Sequence, residues 1–252
     1  MFQPTILRFE SIDSTNLEAM RQAKTGAPEG FCVVAREQTS GRGRLNRSWQ
    51  STKDAGLYFS IVLRPSFEMG AWPLISLMAG LAASDALAKA CGVRVDIKWP
   101  NDLLARDRKL GGILAETIDT AIGAGVVVGI GINLIADSLP EAMRDSSTSV
   151  ESVTGKKPDQ ERVLQELIEA IRERYPLLDT SEGREHTIRE WCANSSFAFD
   201  RAVRVSLAGD VFTGVTRGLE SDGALRVETN SGEIKCVRAG DVTALRAYSP
   251  EI

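Results

Sequence analysis

The chain has 252 residues, 43% of them hydrophobic and 25% charged, the balance of a globular protein with one large domain or two unequal ones. A net charge of -4 argues against general nucleic-acid binding, which needs a broad basic surface. Cys32, Cys91, Cys192 and Cys236 lie far apart and His186 is the single histidine, so neither a zinc site nor a disulfide framework is legible.

From the N-terminus, MFQPTILRFESID lacks the apolar run of a signal peptide, and no apolar stretch of membrane-spanning length is read along the chain. The expectation is a reduced, cytoplasmic protein without membrane attachment. In SIDSTNLEAMRQAK, Thr15 and Glu18 have capping-box spacing and Leu17, Met20 and Ala23 form a short apolar stripe, which predicts a strand running into a helix. Ser14, Thr15 and Asn16 set three short polar groups at that helix start, and capping alone would explain them.

FCVVA (Phe31–Ala35) reads as a buried strand, and LYFSIVLRP (Leu57–Pro65) as another stopped by Pro65. Between them lies QTSGRGRLNRSW, Gln38 to Trp49, with Arg42, Arg44 and Arg47 on a loop hinged by Gly41 and Gly43. Guanidiniums so close together repel one another unless an anion arrives, and their forks suit phosphate or carboxylate oxygens. The spacing G-x-G-x-x-N lacks the third glycine of a dinucleotide fingerprint, and no G-K-[ST] follows as a P-loop requires. A solvated surface loop is the plain alternative.

An alanine-rich segment from Trp72 to Ala90 predicts a buried helix over one sheet face, with Pro73 in its first turn and Gly92 just past its end. Val93–Trp99, Leu110–Ile118 and Gly125–Ile135 predict three strands of an antiparallel meander, with Pro100, Asn101 and Asp102 in a turn. Lys109 precedes a strand with paired Gly111 and Gly112, and Gly129 and Gly131 repeat that feature on the next strand. Glycine inside a strand marks a bulge or a close approach to the backbone, so a slot on the sheet is expected, with Asn133 at its mouth. The serine-rich stretch Asp145–Ser152 reads as a loop, and Asp159 as the cap of a helix through Tyr175. After about Phe199, short alternating runs punctuated by Asp222-Gly223 and Asn230-Ser231-Gly232 predict a small all-β barrel, giving domains at 1–198 and 199–252.

Jointly, STN (Ser14 to Asn16), QTSGRGR with R-x-W (Gln38 to Trp49), KWPND (Lys98 to Asp102), RKLGGILAE (Arg108 to Glu116) and GIGIN (Gly129 to Asn133) resemble the biotin protein ligases. The motifs keep the family's order and extend over the first half of the chain. The resemblance implies an α+β fold: a mixed, largely antiparallel sheet with helices packed on it, the class II synthetase-like catalytic domain, followed by a C-terminal SH3-like β-barrel. It also implies a two-step reaction in which biotin and MgATP give biotinyl-5′-AMP and pyrophosphate. The acyl group then passes to one lysine of a biotin carboxyl carrier domain, of acetyl-CoA carboxylase or a related carboxylase.

By position, Ser14, Thr15, Asn16, Gln38, Gly41 and Arg42 match residues around biotin and the loop, and Gly112 and Leu114 the strand wall beside it. Arg44 and Lys109 match residues near the carboxylate and the phosphate. Arg47, Trp49, Asn101 and Asn133 fall where the family holds the adenylate, and Asp102 where a carboxylate is associated with magnesium and catalysis. Lys109, Arg42, Arg44 and Asp102 are thus the implied catalytic set. One departure stands out: where the family loop reads G-R-G-R-x-G-R, Asn46 replaces the last glycine. Only ten residues precede Ser11, so the resemblance is to the monofunctional type, without specific DNA binding, and a homodimer accords with the family. Two other readings compete. One is a lipoate or octanoate ligase, or an octanoyltransferase, of the same superfamily; the other is a non-catalytic module gripping RNA or an acidic partner.

Overall fold

The computed structural model describes residues 2–136, 139, 141–207, 210–238 and 240–244. The main sheet has seven strands: β1 (Thr5–Phe9), β2 (Phe31–Ala35), β3 (Gly56–Leu63), β4 (Asp96–Lys98), β5 (Asp102–Ala105), β6 (Arg108–Thr120) and β7 (Gly123–Asn133). Their order across the sheet is β1-β2-β3-β7-β6-β5-β4, with β1 and β2 parallel and every other pair antiparallel.

Period-two alternation divides the sheet between two jobs. Leu57, Phe59, Ile61 and Leu63 of β3 and Val126, Val128, Ile130 and Ile132 of β7 join a large core with α2 (Pro73–Cys91) and α4 (Gln160–Arg174). The alternate positions Val62 and Val127 meet Val33, Ile118 and Ala19 and Ala23 of α1 (Thr15–Lys24) in a smaller cluster. α1 therefore covers part of the second face, and the rest of that face is free to line a pocket.

α2 begins at Pro73 and ends on Gly92 at φ 67°, the left-handed cap glycine allows. It corrects the expectation that no apolar stretch reaches membrane-spanning length: its 19 residues are long and apolar enough by composition. The reason lies in packing, because the helix buries residues on all sides between the sheet, α4 and α5 (Ser181–Ala193).

Four local features differ from the sequence reading. The helix cap of α1 is Ser14, whose Oγ accepts from Leu17 N at 3.5 Å, not Thr15. The strand predicted at Val93–Trp99 shrinks to β4, and Asp102 opens β5 instead of sitting in a turn. β5 joins β6 through Arg106 and Asp107 at φ 51° and 60°, a two-residue hairpin without the usual Asn-Gly signal. The serine-rich stretch is not plain loop: Ser149 caps a short helix, α3 (Val150–Thr154). Asp159 does cap α4, accepting from Glu161 N at 3.0 Å and Arg162 N at 3.1 Å.

From Phe199 the chain builds a separate antiparallel sheet of β8 (Phe199–Leu207), β9 (Asp210–Leu219), β10 (Leu225–Thr229), β11 (Ile234–Val237) and β12 (Asp241–Ala244), ordered β11-β10-β9-β8-β12. Residues 245–252 of the expected C-terminal unit lie outside the described residues. Trp99 ties the two sheets together, its indole N–H donating to Gly223 O at 3.0 Å.

Candidate active site

The second face of the sheet opens into a cavity of about 260 Å³. Alternation places Gly112 and Leu114 of β6, Gly129, Gly131 and Asn133 of β7 and Tyr58 of β3 along its wall. Of the sequence-predicted site residues, all but Gly41 line this one cavity. Gly41 instead sits buried at the base of the loop, accepting from Trp49 N at 2.9 Å; a Cβ there would stand 2.4 Å from Trp49 O.

One end of the cavity is neutral, polar and buried. Thr15 donates to Gln38 Oε1 through both its backbone N, at 2.8 Å, and its Oγ1, at 3.1 Å, while Gln38 Nε2 donates to Ser51 Oγ at 2.7 Å. Ser60 Oγ lies 2.8 Å from Thr15 Oγ1 and 2.6 Å from Asn16 Oδ1. Buried polar groups are costly unless paired, and here each holds the next in place.

The other end is cationic. Arg44, Arg47, Lys98 and Lys109 line it, with the carboxylates of Asp102 and Asp241, and Arg42 stands between the two ends. Arg42 pairs with Glu116, and Arg47 with Asp241 of β12. Among the described residues Arg44 has neutral partners, Asn101 Oδ1 at 3.3 Å and Gly240 O at 3.4 Å. Burial lowers the Arg44 guanidinium from its ordinary value, and the nearby Asp241 and Asp102 charges oppose that shift. Asp102 holds Lys109 Nζ at 2.5 Å and, more loosely, Lys98 Nζ at 3.9 Å.

The loop carrying the arginines forms a small hairpin, with Gly43 N donating to Arg47 O at 2.7 Å. Leu45 and Asn46 at its tip take φ 54° and 58°. Asparagine tolerates this left-handed region, so Asn46 supplies the turn in glycine's place. The predicted slot is present, and Trp49 fills it: a Cβ on Gly131 would stand 2.6 Å from its indole, and one on Gly112 3.4 Å. Trp49 Nε1 is buried without a hydrogen-bond partner among the described residues, and Lys109 Nζ sits 5.6 Å from the ring centre. Asn101 bridges the loop and β6, its Nδ2 donating to Ile113 O at 2.7 Å. Asn133 Nδ2 donates to Thr148 O at 3.0 Å and so fixes the strap beside Lys109, whose own N donates to Ser146 O at 2.9 Å.

Sequence reasoning passed over Lys98 and Asp241. Lys98 stood inside the KWPND motif and was readable there. Asp241 had no local signal, since it reaches the cavity only because the second sheet packs against the first.

The profile of the Biotin/lipoate A/B protein ligase family matches residues 8–133, and that of the Biotin protein ligase C terminal domain matches residues 198–243. The chain is similar to the biotin–[acetyl-CoA-carboxylase] ligase of Paracoccus denitrificans, 35% identical over 227 residues covering 87% of this chain and 92% of that one. It is 34% identical over 240 residues to the ligase of the same name from Mycobacterium tuberculosis, covering 92% of this chain and 86% of the relative. Among solved structures, biotin protein ligase from Aquifex aeolicus in complex with biotin and ATP superposes with a TM-score of 0.83 at 30% identity, covering 98% of this chain and 100% of that one. With its motifs gathered on one cavity, and with these relatives, the chain belongs to the biotin protein ligases of the Biotin/lipoate A/B protein ligase family.

Proposed function

We propose that the protein activates biotin with ATP as biotinyl-5′-AMP and transfers the biotinyl group to a lysine of a biotin carboxyl carrier domain, of acetyl-CoA carboxylase or a related carboxylase. The observation that carries this reading is the make-up of the cavity lining: four cations, Arg44, Arg47, Lys98 and Lys109, gathered with only Asp102 and Asp241, beside a neutral hydrogen-bonding group of Thr15 and Gln38. An acid with a polar neutral head and a carboxylate tail, met by a nucleoside triphosphate, matches both ends.

In the first step a biotin carboxylate oxygen attacks the α-phosphorus and the P–O bond to pyrophosphate breaks. Two anions must approach, so fixed positive charge and alignment contribute more than a general base. Arg44, which has no carboxylate partner among the described residues, and Lys109 at the start of β6 supply that charge. Thr15 and Gln38 hold the neutral head group. Trp49 offers the nucleotide base a flat face, with Asn101 and Asn133 fixing the walls around it. In the second step the carrier amine attacks the acyl carbon, loses its proton, and the C–O bond to AMP breaks. A shut loop keeps water from the anhydride in between.

Magnesium commonly uses one or two carboxylates together with substrate phosphates. Asp102 fits that pattern, since Lys109 occupies one of its oxygens and the other, among the described residues, faces Lys98 at 3.9 Å. The ion would neutralise phosphate charge there. Among the described residues no cluster of three His, Cys, Asp or Glu forms a metal cage, so the ion would enter with the nucleotide. The reaction belongs in a reducing cytoplasm on this reading, in keeping with four free thiols.

Incubation with a recombinant biotin carboxyl carrier domain, biotin, ATP and magnesium tests the whole sequence. Mass spectrometry should find one biotinyl group, on one lysine. An unmodified carrier, or one that takes octanoate or lipoate in preference, would overturn the proposal.

A further inference from the structure

Glu116 lies on β6 beyond the cavity lining, and the reaction above gives it no task. Arg42 nevertheless grips it at two points, with Nη1 3.1 Å from Oε2 and Nη2 2.9 Å from Oε1. Such a fork fixes orientation as well as distance. The same carboxylate accepts from Asn16 Nδ2 at 3.0 Å, and that nitrogen also donates to Leu114 O at 3.2 Å. Asn16 is 3% exposed, and its Oδ1 meets Ser60 Oγ at 2.6 Å. Gly129 makes room for this arrangement, because a Cβ there would stand 2.1 Å from Asn16 Oδ1. A continuous set of contacts therefore runs from the sheet through Asn16 and Glu116 to an arginine on a glycine-hinged loop.

Two consequences follow from the pairing. The Arg42 charge is already matched by Glu116, so its main effect is mechanical. The Asn16 amide is saturated by protein partners, so it serves as an anchor more than as a ligand contact. Arg47 makes a second tether, to Asp241, but its side chain is 65% exposed and an exposed pair contributes little.

We infer that the Arg42–Glu116 pair, anchored by Asn16, is a clasp that holds the arginine loop against β6, and that Glu116 is a positioning residue governing how long the loop stays shut. The clasp needs no ligand. Its consequence for function, retention of the activated acyl intermediate, rests on the ligase reading.

Limited trypsin digestion of the ligand-free protein, scored at Arg44 and Arg47, reads loop opening directly, since cleavage follows the population of the open form. Glu116→Gln keeps an acceptor for Asn16 and removes the charge; Arg42→Met removes the fork. Each single variant should be nicked about three- to tenfold faster, and the double variant no faster than the singles, with cleavage elsewhere unchanged. Raised salt should speed nicking of the wild type and leave Glu116→Gln unaffected. An unaltered rate in Glu116→Gln, or effects that multiply in the double variant, would overturn the clasp. In the ligase, release of biotinyl-5′-AMP into solution during a single turnover should rise in Glu116→Gln by a similar factor. If the wild type shows no biotin-dependent adenylate formation, the ligase reading fails, and the nicking rates still decide the clasp.

Discussion

The two ends of the cavity are held by different physics. At the α1 end, Ser14, Thr15 and Asn16 are at most 4% exposed; Thr15 is hydrogen-bonded to Gln38, Asn16 to Ser60 of β3, and Ser14 caps the helix start. At the loop end, Arg42, Arg44 and Arg47 reach three separate parts of the molecule, and Leu45 at the tip is 62% exposed. A buried hydrogen-bonded network resists change, whereas a loop held by a few side-chain pairs at its edge has less to lose on opening. The comparison teaches that, on the proposed function, the head-group contacts are fixed before any ligand arrives, whereas much of the cationic part rides on a loop.

Lys109 gives the sharpest contrast in activity, because it is a cation fixed on a strand and not on the loop. Lys109→Gln should slow adenylate formation about a hundred- to a thousandfold with an unchanged unfolding midpoint. A loss below tenfold in steady-state kinetics would shift the chemistry towards the loop arginines. The glycines of β7 separate the ends in stability. Gly129→Ala, with its Cβ 2.1 Å from boxed-in Asn16, should cost about 3 kcal/mol in urea unfolding. Gly131→Ala pushes on Trp49, which the loop can carry away, so it should cost under about 1 kcal/mol and chiefly raise KM for ATP. Equal destabilisation by the two would erase the distinction between a fixed end and an adaptable one.

Thr15→Val removes a hydroxyl from the buried network and should cost about 1–2 kcal/mol while raising KM for biotin more than it changes kcat. An effect confined to kcat would move Thr15 out of head-group binding. The smallest change is expected of Asn46→Gly. The turn at φ 58° already suits asparagine, so adenylate formation should persist and loop closure, read by protease protection with biotin and ATP, should shift by under about 1 kcal/mol. Abolished adenylate formation would make Asn46 far more than a turn residue.

Much of this was legible in advance where a residue's neighbours are local. Short apolar runs marked β2, β3 and β7, Pro73 and Gly92 bounded α2, and strand glycines marked the slot. What filled the slot was not legible, since Trp49 and Asn16 arrive from other elements. β5 was missed because Arg106 and Asp107 adopt a turn that sequence usually signals with glycine. α5 went unread because, in SEGREHTIREWCA, the buried residues are Gly183, Thr187 and Trp191, too few apolar side chains to show a helical stripe. Asp241 was invisible for a tertiary reason, the packing of one sheet on another.

The most direct test of the central claim is isotope exchange between pyrophosphate and ATP, run on the purified protein with biotin, octanoate, lipoate or no acid. Exchange that depends on biotin alone is the expected result. Exchange driven by octanoate or lipoate, or none with any acid, would contradict it.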